Sequence, residues 1–208
     1  MDDIVEKLKG FSTTIISDAM GGFGTMSNMI KPIVDTMKIA ARAYTVHCFH
    51  RDNLMAHYAI KHAPKSSVLV IATGFDRDGA YWGELMSLMA KKQGIVGIVT
   101  DGGIRDKDMI IKLNFPVFAA SVTPSRTAKA TPGNVNCLVN CGGVTVNPND
   151  IIIADSNGVV VVPYDKAEKI YELSKANLEK ESYLREHIAA GELLFDIFAM
   201  EKLIHKEE

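Results

Sequence analysis

Apolar residues occur along the chain in two patterns, one typical of buried strands and the other of helices. Residues 67–72 and 95–100 are short apolar runs of the kind that forms buried strands. Between them, residues 83–93 place Leu85 and Leu88 at the spacing of a helix core face. Strand and helix alternate in this way through the first two thirds of the chain, which indicates an α/β fold.

Further predicted elements extend this pattern to both ends of the chain. Helices are predicted at residues 2–9, 13–20, 54–61, 106–113, 165–190 and 193–204. Strands are predicted at residues 43–49, 116–119, 135–139, 144–146, 151–154 and 159–162. We therefore expect a single domain over residues 1–208. Its C-terminal helices, at about 165–205, are expected to pack on the body or on a neighbouring subunit.

The composition and charge of the chain argue against some classes of function. The 208 residues include 23 Lys and Arg against 25 Asp and Glu, a formal charge of −2. A chain this balanced lacks the basic surface of a general nucleic-acid binder. No apolar run reaches the roughly 18 residues of a membrane helix, and the acidic start is unlike a secretory signal. We expect a cytoplasmic protein with no nucleic-acid or membrane partner.

Cysteine and histidine give no pattern for a metal or disulfide site. The three cysteines form neither a disulfide framework nor a complete zinc motif, so burial in the core is the favoured interpretation. Four histidines lie between residues 47 and 62. We interpret them as ordinary polar residues near a surface.

The segment Asp101-Gly-Gly-Ile-Arg-Asp106 contains two carboxylates and one guanidinium within six positions. It is predicted as a loop after a buried strand, and ligands bind at such strand ends in open α/β sheets. The planar guanidinium of Arg105 can donate hydrogen bonds to a carboxylate or to a carbonyl oxygen. Asp106 can ligate a hard cation such as magnesium, and Asp101 could hold a metal-bound water. The alternative is a plain turn with a surface Arg–Asp pair.

The segment Trp82-Gly-Glu-Leu-Met86 places Gly83 at or just before a helix start. Backbone N–H groups at a helix start attract anions, and glycine lets a ligand approach the backbone closely. The alternative is a helix start with Trp82 packed in the core. Because this segment and the Asp101–Asp106 segment occupy successive strand–helix units, we predict that both face one pocket.

Taken together, these segments resemble the RraA-like family, which includes the class II 4-hydroxy-4-methyl-2-oxoglutarate aldolases. The resemblance covers almost the whole chain, and the combination of its motifs is more specific than any single one. The matching segments are STTIISDA (12–19), RAYTV (42–46), RDN (51–53), WGELM (82–86), GIVGIVTDGGIRD (94–106), FPVFA (115–119), CGGVTVNPND (141–150) and ADSNGVVVVP (154–163).

The resemblance implies a fold, an assembly and a set of site residues. The fold is a three-layer β/β/α arrangement of the swivelling-domain type, with flanking N- and C-terminal helices. The assembly is a homotrimer or a hexamer, with active sites near subunit interfaces. The substrate carboxylate would be bound by the backbone of four residues: Gly83, Glu84, Leu85 and Met86.

The resemblance also implies roles for charged side chains. Arg105 would contact the substrate as a catalytic and binding residue, and Asp106 would ligate a divalent cation, Mg²⁺ or Mn²⁺. Asp101 would act as a second, catalytic acid, which could position the water or hydroxide that moves the proton. Lys129 resembles a lysine near the family's pocket. A neighbouring subunit would add an acidic residue, for which the candidates are Glu181 and Glu186.

The implied activity is that of a metal-dependent aldolase with oxaloacetate decarboxylase activity, which cleaves a C–C bond of a 2-keto acid through a pyruvate enolate. An enzyme acting on another keto acid is one alternative. The other alternative is a non-catalytic regulator that binds a ribonuclease or helicase. That branch of the family typically lacks an acid at the position of Asp106, and this sequence has one.

Overall fold

The computed structural model describes residues 3–204; the predicted helical positions 2 and 205 lie outside the described residues. The helices are α1 (Asp3–Leu8), α2 (Thr13–Ala19), α3 (Leu54–His62), α4 (Glu84–Gln93), α5 (Lys107–Lys112), α6 (Ala167–Ala189), α7 (Leu194–Ile197) and α8 (Glu201–Ile204). The strands are β1 (Lys31–Pro32), β2 (Ile39–His47), β3 (Ser67–Ala72), β4 (Ala80–Trp82), β5 (Gly97–Ile104), β6 (Val117–Val122), β7 (Asn134–Val135), β8 (Val139–Cys141), β9 (Val144–Val146), β10 (Ile151–Asp155) and β11 (Gly158–Val162).

Nine strands form one mixed sheet in the order β1-β6-β5-β3-β2-β10-β11, with β4 beside β5 and β7 beside β2. Strands β2, β3, β5 and β6 run parallel, joined by helical connections. Strands β10 and β11 form an antiparallel hairpin next to β2. The predicted α/β class is confirmed.

The two ends of the sheet order approach each other, so the sheet is nearly closed. Lys31 of β1 donates a hydrogen bond from Nζ to the carbonyl of Asn157, in the turn that precedes β11. The segment before β1 also lies along β11, where Val161 N–H donates to the carbonyl of Gly24 at 2.8 Å. The separate hairpin β8–β9 packs on the main sheet, and Cys141 of β8 is fully buried there.

Side chains of β10 alternate between two apolar clusters, as the period of a strand requires. Ile151 and Ile153 join residues of α1, α2 and α6, which cover one side of the sheet. Ile152 and Ala154 join the larger cluster, which includes β3, β5, α3 and α4. All six residues of β3 are buried, as expected for a parallel strand covered on both faces.

Several predicted boundaries are corrected by the structure. The strand predicted to end at residue 100 continues as β5 to Ile104, because β4 and β6 pair with its second half. The strand predicted at 135–139 is two strands, β7 and β8. The helix predicted at 193–204 is two short helices, since Ala199 adopts a left-handed backbone at φ 49°.

The C-terminal helix α6 packs on the body through its first part only. Its buried residues are Ala167, Ile170 and Ser174, and the later part of the helix contains no buried residue. Within residues 3–204, no helix combines the length and apolar character needed to cross a membrane.

Candidate active site

The two segments singled out in the sequence meet at the ends of neighbouring parallel strands. Strand β4 leads through Gly83 directly into α4, and β5 ends at Ile104, just before Arg105 and Asp106. Because β4 and β5 run parallel, their carboxyl ends lie side by side. The backbone N–H of Arg105 donates to the carbonyl of Trp82 at 2.9 Å, which holds the two strand ends together.

Gly83 is in direct contact with both charged residues. A Cβ built on Gly83 would lie 2.8 Å from Oδ2 of Asp106 and 3.2 Å from Cγ of Arg105. The backbone of Gly83 is extended, at φ −159°, so the need for glycine here comes from close approach alone. The structure confirms that Gly83, Arg105 and Asp106 face one pocket, whereas Asp101, at the start of its segment, lies outside it.

Asp106 occupies the N-cap position of α5 but caps a different helix. Its backbone is left-handed, at φ 58°, and its side chain makes no cap hydrogen bond to α5. Its Oδ2 instead accepts a hydrogen bond from the N–H of Glu84 at 3.2 Å and lies 3.6 Å from Nε of Arg105. A left-handed backbone at a non-glycine residue is uncommon, and here it turns the carboxylate towards the start of α4.

The first turn of α4 presents backbone donors to the pocket. Ser87 is the first residue after Gly83 whose N–H makes a helical hydrogen bond, to the carbonyl of Gly83 at 3.0 Å. The N–H groups of Glu84, Leu85 and Met86 therefore point out of the helix end; that of Glu84 already donates to Asp106, which leaves those of Leu85 and Met86 for a ligand. They are suited to bind a carboxylate, because the helix dipole adds to their partial positive charge.

These groups line a cavity of about 600 Å³. Three cations, Arg105, Arg126 and Lys129, line it together with two carboxylates, Asp106 and Glu84. The side chains of Arg105 and Asp106 are about half exposed, so solvent reaches them. The lining has more cations than carboxylates and suits a small anionic ligand.

Helix α3 supplies a further wall that the sequence did not assign to the site. Asn53 and His57 stand one helical turn apart and both line the cavity. Burial lowers the pKa of His57 below its ordinary value of 6.5, and the positive charge of Lys129 lowers it further. The i, i+4 spacing of these two residues was the available signal, but only the fold shows that this face of α3 meets α4.

Asp101 lies outside this cavity, in the buried part of β5, and is only 1% exposed. Its carboxylate accepts hydrogen bonds from the N–H and Oγ1 of Thr73, at 2.7 and 2.9 Å, and from the N–H of Phe75 at 3.4 Å. Burial raises the pKa of Asp101, although these hydrogen bonds oppose the shift. The structure thus separates Asp101 from Arg105 and Asp106, and its contacts hold strand ends together.

Three further residues suggested by the sequence have defined positions. Lys129 lines the cavity, as the resemblance implied. Glu181 and Glu186 lie on the later part of α6 and do not line the cavity of their own chain. Glu181 pairs there with Arg185 at 2.8 Å.

The oxygen ligands of this cavity suit a hard divalent cation that keeps some of its coordination positions for water and substrate. Among residues 3–204, no three His, Cys, Asp or Glu side chains cluster closely enough to form a cage for a metal ion. Magnesium does not need one, since it commonly keeps several waters and takes one or two carboxylates plus substrate oxygens. Asp106, half exposed in a cavity with room for a ligand, meets that requirement.

Comparison with known proteins decides the family. Residues 13–161 match the family model described as RraA-like, Aldolase/RraA. The chain belongs to the RraA-like family. A relative from Halalkalibacterium halodurans, which carries the provisional name 4-hydroxy-4-methyl-2-oxoglutarate aldolase, is 33% identical over 98% of this chain and 96% of its own length.

Solved structures share this fold. An uncharacterised protein from Pseudomonas syringae pv. tomato is 26% identical, with a TM-score of 0.84 over 94% of this chain and 92% of its own. RraAS2 of Streptomyces coelicolor, described as an unusual member of the RNase ES inhibitor RraA family, has a TM-score of 0.81. At 24% identity over 90% of this chain and 98% of its own, RraAS2 is evidence for the fold alone.

Proposed function

We propose that this RraA-like protein is a divalent-metal-dependent lyase that releases pyruvate from a 2-keto acid. The observation that carries the proposal is the contact of Gly83 with Arg105 and Asp106 at the start of α4. It places anion-binding N–H groups, a guanidinium and a carboxylate in one cavity. Aldolase names among relatives at about a third identity support a lyase of this type.

Substrate binding is assigned to the start of α4 and to Arg105. The carboxylate of the keto acid would accept hydrogen bonds from the outward N–H groups of Leu85 and Met86. The guanidinium of Arg105 would donate to the neighbouring keto oxygen. These two contacts would fix the bond between carbons 3 and 4 of the substrate in one orientation.

Asp106 would hold the cation, Mg²⁺ or Mn²⁺, together with substrate oxygens and water. When bound, such a cation supplies Lewis-acid polarisation of the keto group. Arg105 would stabilise the negative charge that grows on the same keto oxygen as the bond breaks. Asp101, buried against Thr73, has no part in this assignment.

In aldol cleavage the C3–C4 bond breaks and its electron pair moves into the enolate of pyruvate. The hydroxyl proton on carbon 4 leaves at the same stage, and carbon 4 becomes the carbonyl of a second keto acid. We assign the imidazole of His57 as the acceptor of that proton, because it lines the cavity and its lowered pKa keeps it neutral at pH 7. The enolate then takes up a proton at carbon 3.

Oxaloacetate decarboxylation would use the same cavity. Here the C3–C4 bond breaks with loss of carbon dioxide, and the same enolate is protonated to pyruvate. The shared enolate is the reason to expect both reactions from one site. The regulator alternative predicts neither reaction.

The assembly would be a homotrimer or hexamer. Its support is a set of exposed apolar side chains on the C-terminal helices and at their ends: Leu178, Ile188, Leu193, Leu194 and Phe198. Static light scattering at micromolar concentration would give three or six chains if this assignment holds, and a monomer would contradict it. A cytoplasmic location is part of the same proposal.

The activity is tested by coupling pyruvate release to lactate dehydrogenase, with oxaloacetate and 4-hydroxy-4-methyl-2-oxoglutarate as substrates. We expect release from both with Mg²⁺ or Mn²⁺, loss with a chelator and recovery when metal is restored. Release at the uncatalysed rate under all conditions would support the regulator instead.

A further inference from the structure

The connection between β6 and β7 carries two cations, Arg126 and Lys129, into the wall of the cavity, although it contains no helix or strand. Strand β4 holds it in place. The N–H of Ala80 donates to the carbonyl of Ser125 at 3.0 Å, and Oγ1 of Thr127 donates to the carbonyl of Ala80 at 3.0 Å. Because Arg126 lies between these two anchored residues, its backbone has a fixed position beside β4.

Two residues of the RDN motif, Arg51 and Asp52, hold the same connection. The carbonyl of Arg51 accepts a hydrogen bond from the N–H of Ala128 at 2.7 Å, and its Nη1 donates to Oγ of Ser125 at 2.8 Å. Oδ2 of Asp52 accepts from the N–H of Ala130 at 2.7 Å. The motif therefore fixes the backbone that carries the two cations, which the proposed reaction has not yet used.

This end of the cavity has an excess of positive charge. In the part of the chain that the structure describes, no carboxylate lies within ion-pair distance of the exposed Arg126 guanidinium. Arg126 and Lys129 also line an adjoining hollow of about 590 Å³, together with Arg51. One of the two carboxylates in the cavity, Asp106, already pairs with Arg105. The free guanidinium is therefore suited to a second anionic group of the ligand.

The position of Arg126 along β4 sets its distance from the proposed carboxylate site. Its backbone pairs with Ala80 at the start of the strand, whereas Gly83 follows the end of the strand. At about 3.3 Å per residue, these two points are roughly 10 Å apart along β4. A substrate whose first carboxylate binds the N–H groups of Leu85 and Met86 can therefore meet the long side chain of Arg126 with its other end.

On the basis of the proposed function, we propose that Arg126 binds the carboxylate beyond the C3–C4 bond of the substrate and thereby favours aldol cleavage over decarboxylation. A planar guanidinium can donate two parallel hydrogen bonds to a carboxylate, which fixes the orientation of that end of the molecule. Arg126 is thus a residue that determines specificity.

The two reactions treat this carboxylate differently. In aldol cleavage it stays attached to carbon 4 and keeps its charge, so the contact with Arg126 persists in the transition state. In oxaloacetate the carboxylate contains carbon 4 itself, and it becomes neutral carbon dioxide as the electron pair of the C3–C4 bond moves into the enolate. Arg126 therefore stabilises bound oxaloacetate more than the transition state of decarboxylation, and such a contact does not accelerate the reaction.

The test is Arg126→Gln, which removes the charge from an exposed side chain and is expected to fold like the wild type. We expect kcat/KM for 4-hydroxy-4-methyl-2-oxoglutarate to fall roughly 10- to 100-fold, the loss of hydrogen bonds to a charged group. For 4-hydroxy-4-methyl-2-oxopentanoate, in which a methyl group replaces the second carboxylate, we expect kcat/KM to change less than about threefold. The ratio of the two values is the readout, since a general loss of structure would lower both.

Oxaloacetate gives a second signature of the same contact. Because the contact weakens in the transition state of decarboxylation, Arg126→Gln should raise kcat and KM together, with kcat/KM within about threefold of wild type. Arg77→Gln is the matched control: Arg77 is also exposed and loses the same charge, but it does not line the cavity. We expect its kcat/KM values for all three substrates to stay within about threefold of wild type.

Three results would overturn the role of Arg126 and leave the proposed function standing. The first is a wild-type protein that cleaves the dicarboxylate and its methyl analogue with equal kcat/KM. The second is an Arg126→Gln protein in which the ratio of these values is unchanged. The third is an Arg77→Gln protein with the same loss as Arg126→Gln, which would mean general attraction between charges. A wild-type protein that releases pyruvate from none of the three substrates contradicts the proposed function itself.

Discussion

Replacing Gly83 with alanine is expected to lower turnover far more than it lowers stability. The new Cβ would lie 2.8 Å from Oδ2 of Asp106, which is closer than these atoms tolerate, and 3.2 Å from Cγ of Arg105, which is a tight contact. Alanine adopts the extended backbone of this position without strain, so the effect is confined to those contacts. Both neighbours are long or rotatable and partly exposed, so they can move aside.

The stability cost follows from what that movement breaks. Rotation of Asp106 gives up its 3.2 Å hydrogen bond from Glu84, and alanine is a poorer N-cap than glycine. Together these changes should cost about 1 to 2 kcal/mol of unfolding free energy. A typical domain of this size, stable by roughly 5 to 15 kcal/mol, stays folded after such a loss.

The effect on turnover should be much larger, because Arg105 and Asp106 are the groups that would contact the reacting atoms. A displacement of about 1 Å can cost on the order of 100-fold in rate, and we expect that loss in kcat/KM for pyruvate release. Gly10→Ala is the matched control: its Cβ would meet only the Lys7 carbonyl, at 3.4 Å, away from the cavity. A Gly83→Ala protein with kcat/KM within threefold of wild type would refute this account of the site.

Two further predictions concern titratable groups. Asp101→Ala should cost roughly 2 to 4 kcal/mol of unfolding free energy in urea, because the donors of Thr73 and Phe75 lose their acceptor; a change below about 0.5 kcal/mol would contradict this structural role. The lowered pKa of His57 means that the unfolded chain binds its proton more readily, so stability should fall as pH drops from about 6.5 towards 5. His57→Gln should flatten that dependence, measured by urea unfolding at pH 7 and pH 5, and an unchanged slope would count against it.

The parts of the site that lie in one strand–helix unit could be predicted from sequence. The apolar run 67–72 forms β3 with the predicted bounds, and the helix predicted at 83–93 differs from α4 by one residue. Parallel strands bring their carboxyl ends to one edge, which is why Gly83 and Arg105 could be expected to meet.

The position of Asp101 could not be predicted, because Asp-Gly-Gly is typical of a turn. In the structure, pairing with β4 and β6 keeps this segment extended and points the carboxylate at Thr73. Tertiary pairing overrides the local preference. The place of Asn53 and His57 in the cavity wall was equally hidden, since it depends on how α3 packs beside α4.

The most direct test of the central claim is the metal dependence of an Asp106→Asn protein. Asparagine tolerates the left-handed backbone at this position, so the change removes the charge without strain. Mn²⁺ affinity, followed by electron paramagnetic resonance, and metal-dependent pyruvate release are measured on the same sample. We predict a folded protein whose Mn²⁺ affinity falls at least about 10-fold and whose turnover falls by orders of magnitude. A folded Asp106→Asn protein with wild-type Mn²⁺ affinity and full metal-dependent turnover would contradict the claim.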